Sequence, residues 1–245
     1  MKSDRAYSVS EETLARLKEK LRQKEGENAF AEHPEILPPL AQALKANSDL
    51  NVLIEEMIQA WKRLHRSFEG GGSLFLCGNG GSMADAQHIA GELAKSFRRP
   101  RPLGEKGGER FAGSPKKAAL GEGLQRGLPV LALGTNSALV SAISNDQGYE
   151  FSFAQELYAL GKRGDVLMGI STSGNSRNVV NAALTAEELE METLALTGKG
   201  GGELARIVDL ALSVPARETG EVQQLHETIY HGLCGMIEET WFGDD

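Results

Sequence analysis

Four hydroxyls crowd into six residues at Ser171-Thr172-Ser173-Gly174-Asn175-Ser176, directly after the apolar run 166–170. Hydroxyls and free amides at the carboxyl end of a strand, where a helix opens, can grip phosphate oxygens without lysine or arginine. A second loop, Cys77-Gly78-Asn79-Gly80-Gly81-Ser82, follows the run 74–77 in the same way. Its glycines permit a tight turn, and Ser82 is placed to cap the next helix. Either loop alone has a plainer reading, a turn that joins strand to helix with a serine cap. Two of them in one sheet favour an anion site. Neither is a nucleotide loop, because the Gly-Lys-Ser/Thr ending is missing. The Gly-x-Gly-x-x-Gly pattern of nicotinamide cofactors is missing too.

Proton-handling groups lie nearby in the chain. His88 and Glu92 are i,i+4 on the helix after Ser82 and share a face. Gln223 and His231 lie roughly 80° apart on a second helix, still one broad face. Imidazole and carboxylate are ordinary zinc ligands, with an amide oxygen as a weaker one. Spacing leaves two readings open: a shared metal or catalytic site, or histidines that only satisfy local hydrogen bonds.

The elements that must position these residues follow from apolar periodicity. Up to residue 70 the chain reads as helices. Ser8 and Glu11 form a capping-box pattern ahead of Leu14, Leu17 and Leu21. Pro34, Pro38 and Pro39 interrupt the pattern, and the stripe Leu53, Met57, Trp61, Leu64, Phe68 ends at Gly70-Gly71-Gly72. Apolar runs at 74–77, 130–133, 166–170, 193–196 and 210–214 then alternate with helical stretches. Continuous apolar strands of this kind predict an α/β fold, a doubly wound five-stranded parallel sheet with helices on both faces. Val222, Leu225, Ile229, Leu233 and Ile237 mark a terminal helix over 221–242. The segment 103–127, rich in Gly, Lys and Glu without a sustained period, reads as a surface insertion. The organisation expected is therefore a helical segment 1–70 packing on a domain 71–245 and in an oligomer.

Composition narrows the function. The 245-residue chain is 40% apolar and 24% charged, and can bury a core without staples. A net charge of −8 argues against nucleic acid, whose binding rests on Lys and Arg neutralising phosphates. Arg98, Arg99 and Arg101 are the local exception, expected as a solvated loop. No apolar run approaches the ~20 residues of a membrane span. Only Cys77 and Cys234 occur, far apart, and the charged N-terminus (Lys2, Asp4, Arg5, Glu11, Glu12) lacks a signal core. Both features lead to the expectation of a cytoplasmic protein.

Several motifs together resemble the phosphoheptose isomerases, enzymes of the sugar isomerase (SIS) domain family. They are Gly78-Asn79-Gly80-Gly81-Ser82, Ala84-Asp85-Ala86-Gln87-His88 with Glu92, and Asn145-Asp146. They continue with Gly164-Asp165, Ile170 through Val179, Thr197-Gly198, Gly201-Gly202, and Val222-Gln223 with His226 and His231. The resemblance runs in family order from about Ser67 to the C-terminus. It implies an SIS-type sheet and conversion of sedoheptulose 7-phosphate to D-glycero-D-manno-heptose 7-phosphate, the first step towards activated heptose for cell-surface polysaccharide. It implies phosphate binding by Ser171, Thr172, Ser173 and Ser176. Asn79, Gly80, Gly81 and Ser82 would line the sugar, and Asp146 would orient its hydroxyls. His88, Glu92, Gln223 and His231 would hold one Zn2+, with Glu92 and His231 moving protons. It also implies a homotetramer with sites between subunits. The insertion 103–127 and Gln224, where a glutamate is common, depart from the pattern.

Two rival functions share the fold. One is a non-catalytic scaffold associated with the replication initiator, a branch lacking the acid at position 92 and the histidine at 231. The other is a metal-free SIS isomerase of a pentose or hexose phosphate, against which the Gln223/His231 helix speaks.

Overall fold

The structure, a computed structural model, describes residues 7, 9–22 and 32–243. Ser8 lies outside the described residues. Helix α1 (Glu11–Arg22) is capped by Ser10, whose Oγ accepts from the Thr13 amide at 3.2 Å. Pro34 opens a short 3-10 turn, whereas Pro38 and Pro39 do not break the chain. They sit in the first turn of α2 (Leu37–Ala46), where no amide hydrogen is needed. The expected stripe forms the buried face of α3 (Ile54–Glu69). Beyond it, Gly71 adopts φ +76°, and a Cβ on Gly72 would overlap Gly164 and Ser67.

All five expected strands form: β1 (Leu74–Gly78), β2 (Val130–Ala132), β3 (Val166–Ser171), β4 (Glu192–Thr197) and β5 (Leu210–Ser213). They make one parallel sheet in the order β2-β1-β3-β4-β5. The strands read as unbroken apolar runs because each face has its own core. Leu74, Leu76, Met168, Ile170, Leu194 and Leu196 enter one core, with α3, α4 (Gly81–Ala94) and α11 (Thr219–Phe242). Phe75, Cys77, Leu167 and Ala195 enter the other, beneath α8 (Ser152–Leu160) and α9 (Arg177–Glu188), with Leu204 of the short α10 (Leu204–Ile207). Leu17, Leu21, Leu37 and Leu40 belong to the first core, so the N-terminal helices and the sheet share one interior.

The insertion departs from the loop its composition predicts. It folds into α5 (Gly104–Glu109) and α6 (Pro115–Gly123), closed at its base by a bridge between Pro102 and Gln125. Three glycines in α5 lower helix propensity enough to hide it from periodicity, and α6 buries no residue. Deleting 106–124 is therefore expected to leave a folded, soluble protein, since closing a surface loop of different length costs little. Wholesale aggregation of that variant would show that the hairpin packs into a core or an interface.

The arginine cluster is also corrected. Arg101 is fully buried and pairs with the equally buried Glu238, and Arg99 makes a bidentate bond to Glu239 at 2.6 and 2.7 Å. The acids stand on α11, 137 positions away for Arg101, so a local charge run could not reveal them.

Candidate active site

Both Gly/Ser loops leave the carboxyl ends of neighbouring strands, since Gly78 of β1 pairs with Ile170 of β3. Ligands of open α/β sheets bind at that edge. In the first loop Gly80 takes φ +57° and itself occupies the cap position of α4. Ser82 is not the cap; it lies inside the first turn, 4% exposed, with its amide bonded to the Asn79 carbonyl. The helix is capped two residues earlier than expected because glycine alone tolerates that backbone. Asn79 and Asn178 exchange amide hydrogen bonds at 2.8 and 2.9 Å, and Tyr149 Oη donates to Asn79 Oδ1. That pair ties the first loop to α9.

The second loop gathers its hydroxyls at the carboxyl end of β3. Ser171 and Ser176 share a hydrogen bond at 3.0 Å, and Ser173 Oγ accepts from the Asn175 amide. Ser176 stands at the N-cap of α9 without using its side chain there, and its hydroxyl turns to Ser171 within the loop, at a helix N-terminus of the kind that favours an anion. Thr172 is half-buried beside Gly198, where a Cβ would overlap the Thr172 carbonyl. Gly174, at φ +66°, packs against Gly201 with no room for a side chain. Asp146 ends α7 (Ser137–Asp146), exposed, its carboxylate accepting from Asn145.

The proton-handling residues meet between α4 and α11. His88 Nε2 is 3.0 Å from Glu92 Oε1, and the His88 ring centroid is 5.0 Å from that of His231. His231 stacks on Phe97, centroids 5.6 Å apart and planes 14° from parallel. Burial holds the His231 pKa below its ordinary value, with nearby His88 adding to the effect. The imidazole is therefore neutral near pH 7 and able to accept a proton. It faces a cavity of about 190 Å³ lined also by Gln42, Arg98, Glu227 and Thr228. Gln223 lies two turns away against Gly81, at the mouth of the first loop.

Three further residues had no role in the sequence reading. Tyr230 bonds His88 Nδ1 at 3.0 Å, which orients the ring so that Nε2 faces Glu92. Asp85 stands behind Tyr230 with its carboxyl pKa raised, by burial first and by Glu227 second. His226 is fully buried, and burial pushes it down to about 4. Asp85 and His226 fall within family motifs, but nothing in their spacing announces these environments.

As metal donors, two imidazoles, a carboxylate and an amide have the right chemistry. Among the described residues, no three His, Cys, Asp or Glu side chains already stand around one ion position. The His88–Glu92 separation is one that a hydrogen bond and a shared ion both satisfy.

The fold has solved counterparts. The SIS domain model matches residues 122–198. The phosphoheptose isomerase of Roseiflexus sp. is 42% identical over 181 residues, 74% of this chain and 80% of that protein. The chain belongs to the phosphoheptose isomerase family. The structure of the family member from Neisseria gonorrhoeae is similar at TM-score 0.64 and 32% identity, covering 91% of this chain and 99% of that one. The Francisella tularensis phosphoheptose isomerase gives 0.66 and 30%, over 86% and 95%. The fold read from the apolar runs is thus the family's fold.

For a member of the phosphoheptose isomerase family, the second loop makes a direct prediction. Ser173→Ala and Ser176→Ala should each raise KM for a phosphorylated sugar while leaving the circular dichroism spectrum unchanged. A hydrogen bond to a charged group contributes about 1.5–3 kcal/mol, equivalent to roughly tenfold to a hundredfold in affinity. Unchanged affinity in both variants would place the phosphate elsewhere.

Proposed function

We propose that this enzyme interconverts sedoheptulose 7-phosphate and D-glycero-D-manno-heptose 7-phosphate, opening the supply of activated heptose for cell-surface polysaccharide. The observation that carries the reading is the meeting of His88, Glu92 and His231 between α4 and α11, beside two loops suited to a phosphosugar. A scaffold has no use for an acid and a neutral imidazole on either side of one histidine. That the relatives named above are phosphoheptose isomerases supports the same conclusion.

In the proposed reaction the hydroxyls of Ser171, Thr172, Ser173 and Ser176 hold the phosphate. Asn79, Gly80 and Gly81 line the sugar near Gln223, with Ser82 supporting the turn from inside the helix, and Asp146 orients sugar hydroxyls. The open-chain ketose loses a proton from C1 to one member of the Glu92/His231 pair. The C2 carbonyl oxygen takes up a proton to give an enediol; a proton is then delivered to C2 while the C1 hydroxyl gives up its own, so that C2 carries a hydroxyl and C1 the carbonyl. Such a shuttle needs an acid and a base within reach of adjacent carbons. Tyr230 keeps His88 turned towards Glu92, and the half-buried setting of His231 keeps it unprotonated between turnovers.

One Zn2+ per site would be held by His88, Glu92, His231 and Gln223. When bound it supplies Lewis-acid polarisation of the sugar oxygens. We further propose a homotetramer with sites between subunits, located in the cytoplasm. Tyr149, Phe151, Tyr158 and Leu160 are exposed large hydrophobic residues that an assembly could cover, and both cysteines are free and buried. Among the described residues no helix is long and apolar enough to cross a membrane.

A coupled assay offering sedoheptulose 7-phosphate, a pentose phosphate and a hexose phosphate, each with and without chelator, tests the reading. Turnover of the heptulose alone, lost on chelation, supports it. Turnover of another sugar that survives chelation would establish a metal-free isomerase instead.

A further inference from the structure

Glu238 buries its carboxylate completely, yet that carboxylate is fully engaged. It accepts from the amides of Phe97 and Arg98, each at 2.9 Å, and from Arg101 Nε at 2.9 Å and Nη2 at 2.8 Å. Arg101, also 0% exposed, sends Nη1 to the Leu93 carbonyl at 3.0 Å and Nη2 to the Glu92 carbonyl at 3.2 Å. Its guanidinium lies 4.3 Å over the ring of Phe242. A buried ion pair of this kind is a poor device for stability, because an apolar pair of similar volume usually serves as well or better. What an apolar pair cannot do is fix several backbone atoms at once. The planar fork of arginine can.

The atoms it fixes belong to both halves of the proton-transfer pair. The Glu92 carbonyl is bound directly, at the open end of α4 where carbonyls lack helical partners. His231 is reached through Phe97, whose amide is held by Glu238 and whose ring lies flat against the imidazole. Glu238 itself stands on α11, two turns beyond His231. We infer that Arg101 and Glu238 are positioning residues that set the separation of Glu92 and His231. They do so by tying the end of α4 to α11 and by holding Phe97 against the imidazole. The inference rests on the roles proposed above for Glu92 and His231. Neither positioning residue touches the phosphate loop, which is built on β3 and α9.

Two variants test it. Arg101→Lys keeps the buried positive charge but loses the fork, and Phe97→Leu removes the stacked ring while leaving the ion pair intact. In each, kcat on sedoheptulose 7-phosphate is expected to fall about tenfold to a hundredfold, the effect of an ångström-scale misplacement. KM should stay within about threefold, because the phosphate grip is elsewhere. The NMR signal of the His231 Cε1 proton, shielded by the Phe97 ring, should move downfield in both. A merely structural role would lower the melting temperature and leave kcat per folded molecule and the proton signal unchanged, and that outcome overturns the inference. If Arg101→Lys fails to fold, Phe97→Leu decides by the same two readouts. A parent protein without isomerase activity would defeat the functional reading, and the His231 signal then decides the positioning role alone.

Discussion

Glu92→Gln and His231→Asn should each lower kcat on sedoheptulose 7-phosphate by roughly 10²–10⁴-fold, the usual range for a lost general acid or base. Both substitutions are close in volume to the native side chain, so fold and phosphosugar binding should survive. The double variant should be scarcely slower than either single one, because residues that act as a unit are strongly non-additive. The geometry motivates this. His88 touches Glu92 at 3.0 Å and packs edge-on against His231, so the three side chains form one contiguous group. Steady-state kinetics of the three variants, with Kd for the sugar phosphate measured separately, provide the check. A rate within a few-fold of the parent in either single variant would remove that residue from the pair, and fully additive losses would mean two independent sites.

Protein purified without chelator should carry about one zinc per site, and dialysis against a strong chelator should remove metal and activity in step. Zinc added back should restore both. His88, Glu92 and His231 already adjoin one another, and Gln223 stands two turns before His231 on the same helix, against Gly81. Binding would exchange the His88–Glu92 hydrogen bond for two ligand bonds, which requires a neutral imidazole and an ionised carboxylate. Affinity should therefore weaken as pH falls through the histidine range. Metal analysis alongside the rate is the measurement. Full activity in metal-free protein would reduce His88 and Gln223 to orienting and substrate-lining roles.

The sheet was legible because its signal is local. Each strand is a continuous apolar run, and alternate residues such as Leu76 and Cys77 enter opposite cores. The loops were legible for the same reason, since glycine and hydroxyl residues cluster within six positions. Contacts between distant segments were not. Asn79 meets Asn178 across 99 positions and Tyr230 meets His88 across 142, and neither partner's identity points to the other. The arginine cluster was misread because its acids lie on another helix, so local charge density resembled a solvated loop. Ser82 was misread because a serine before a helix usually caps it, whereas Gly80 can take the backbone the cap position requires here. The short helices of the insertion bury too little to leave an apolar period. The motif resemblance implied what spacing alone left open, a meeting of the two histidines, and their rings do stand 5.0 Å apart.

An aldose–ketose isomerase moves a proton between C1 and C2 of a bound sugar phosphate. Proton NMR of sedoheptulose 7-phosphate incubated with the protein in D2O follows that event directly. One C1 proton signal of the ketose is expected to fade and aldose signals to grow in with deuterium at C2, at a rate abolished by Glu92→Gln. Saturable binding of the sugar phosphate with an unchanged spectrum would contradict it, and would leave a phosphosugar-binding scaffold in its place.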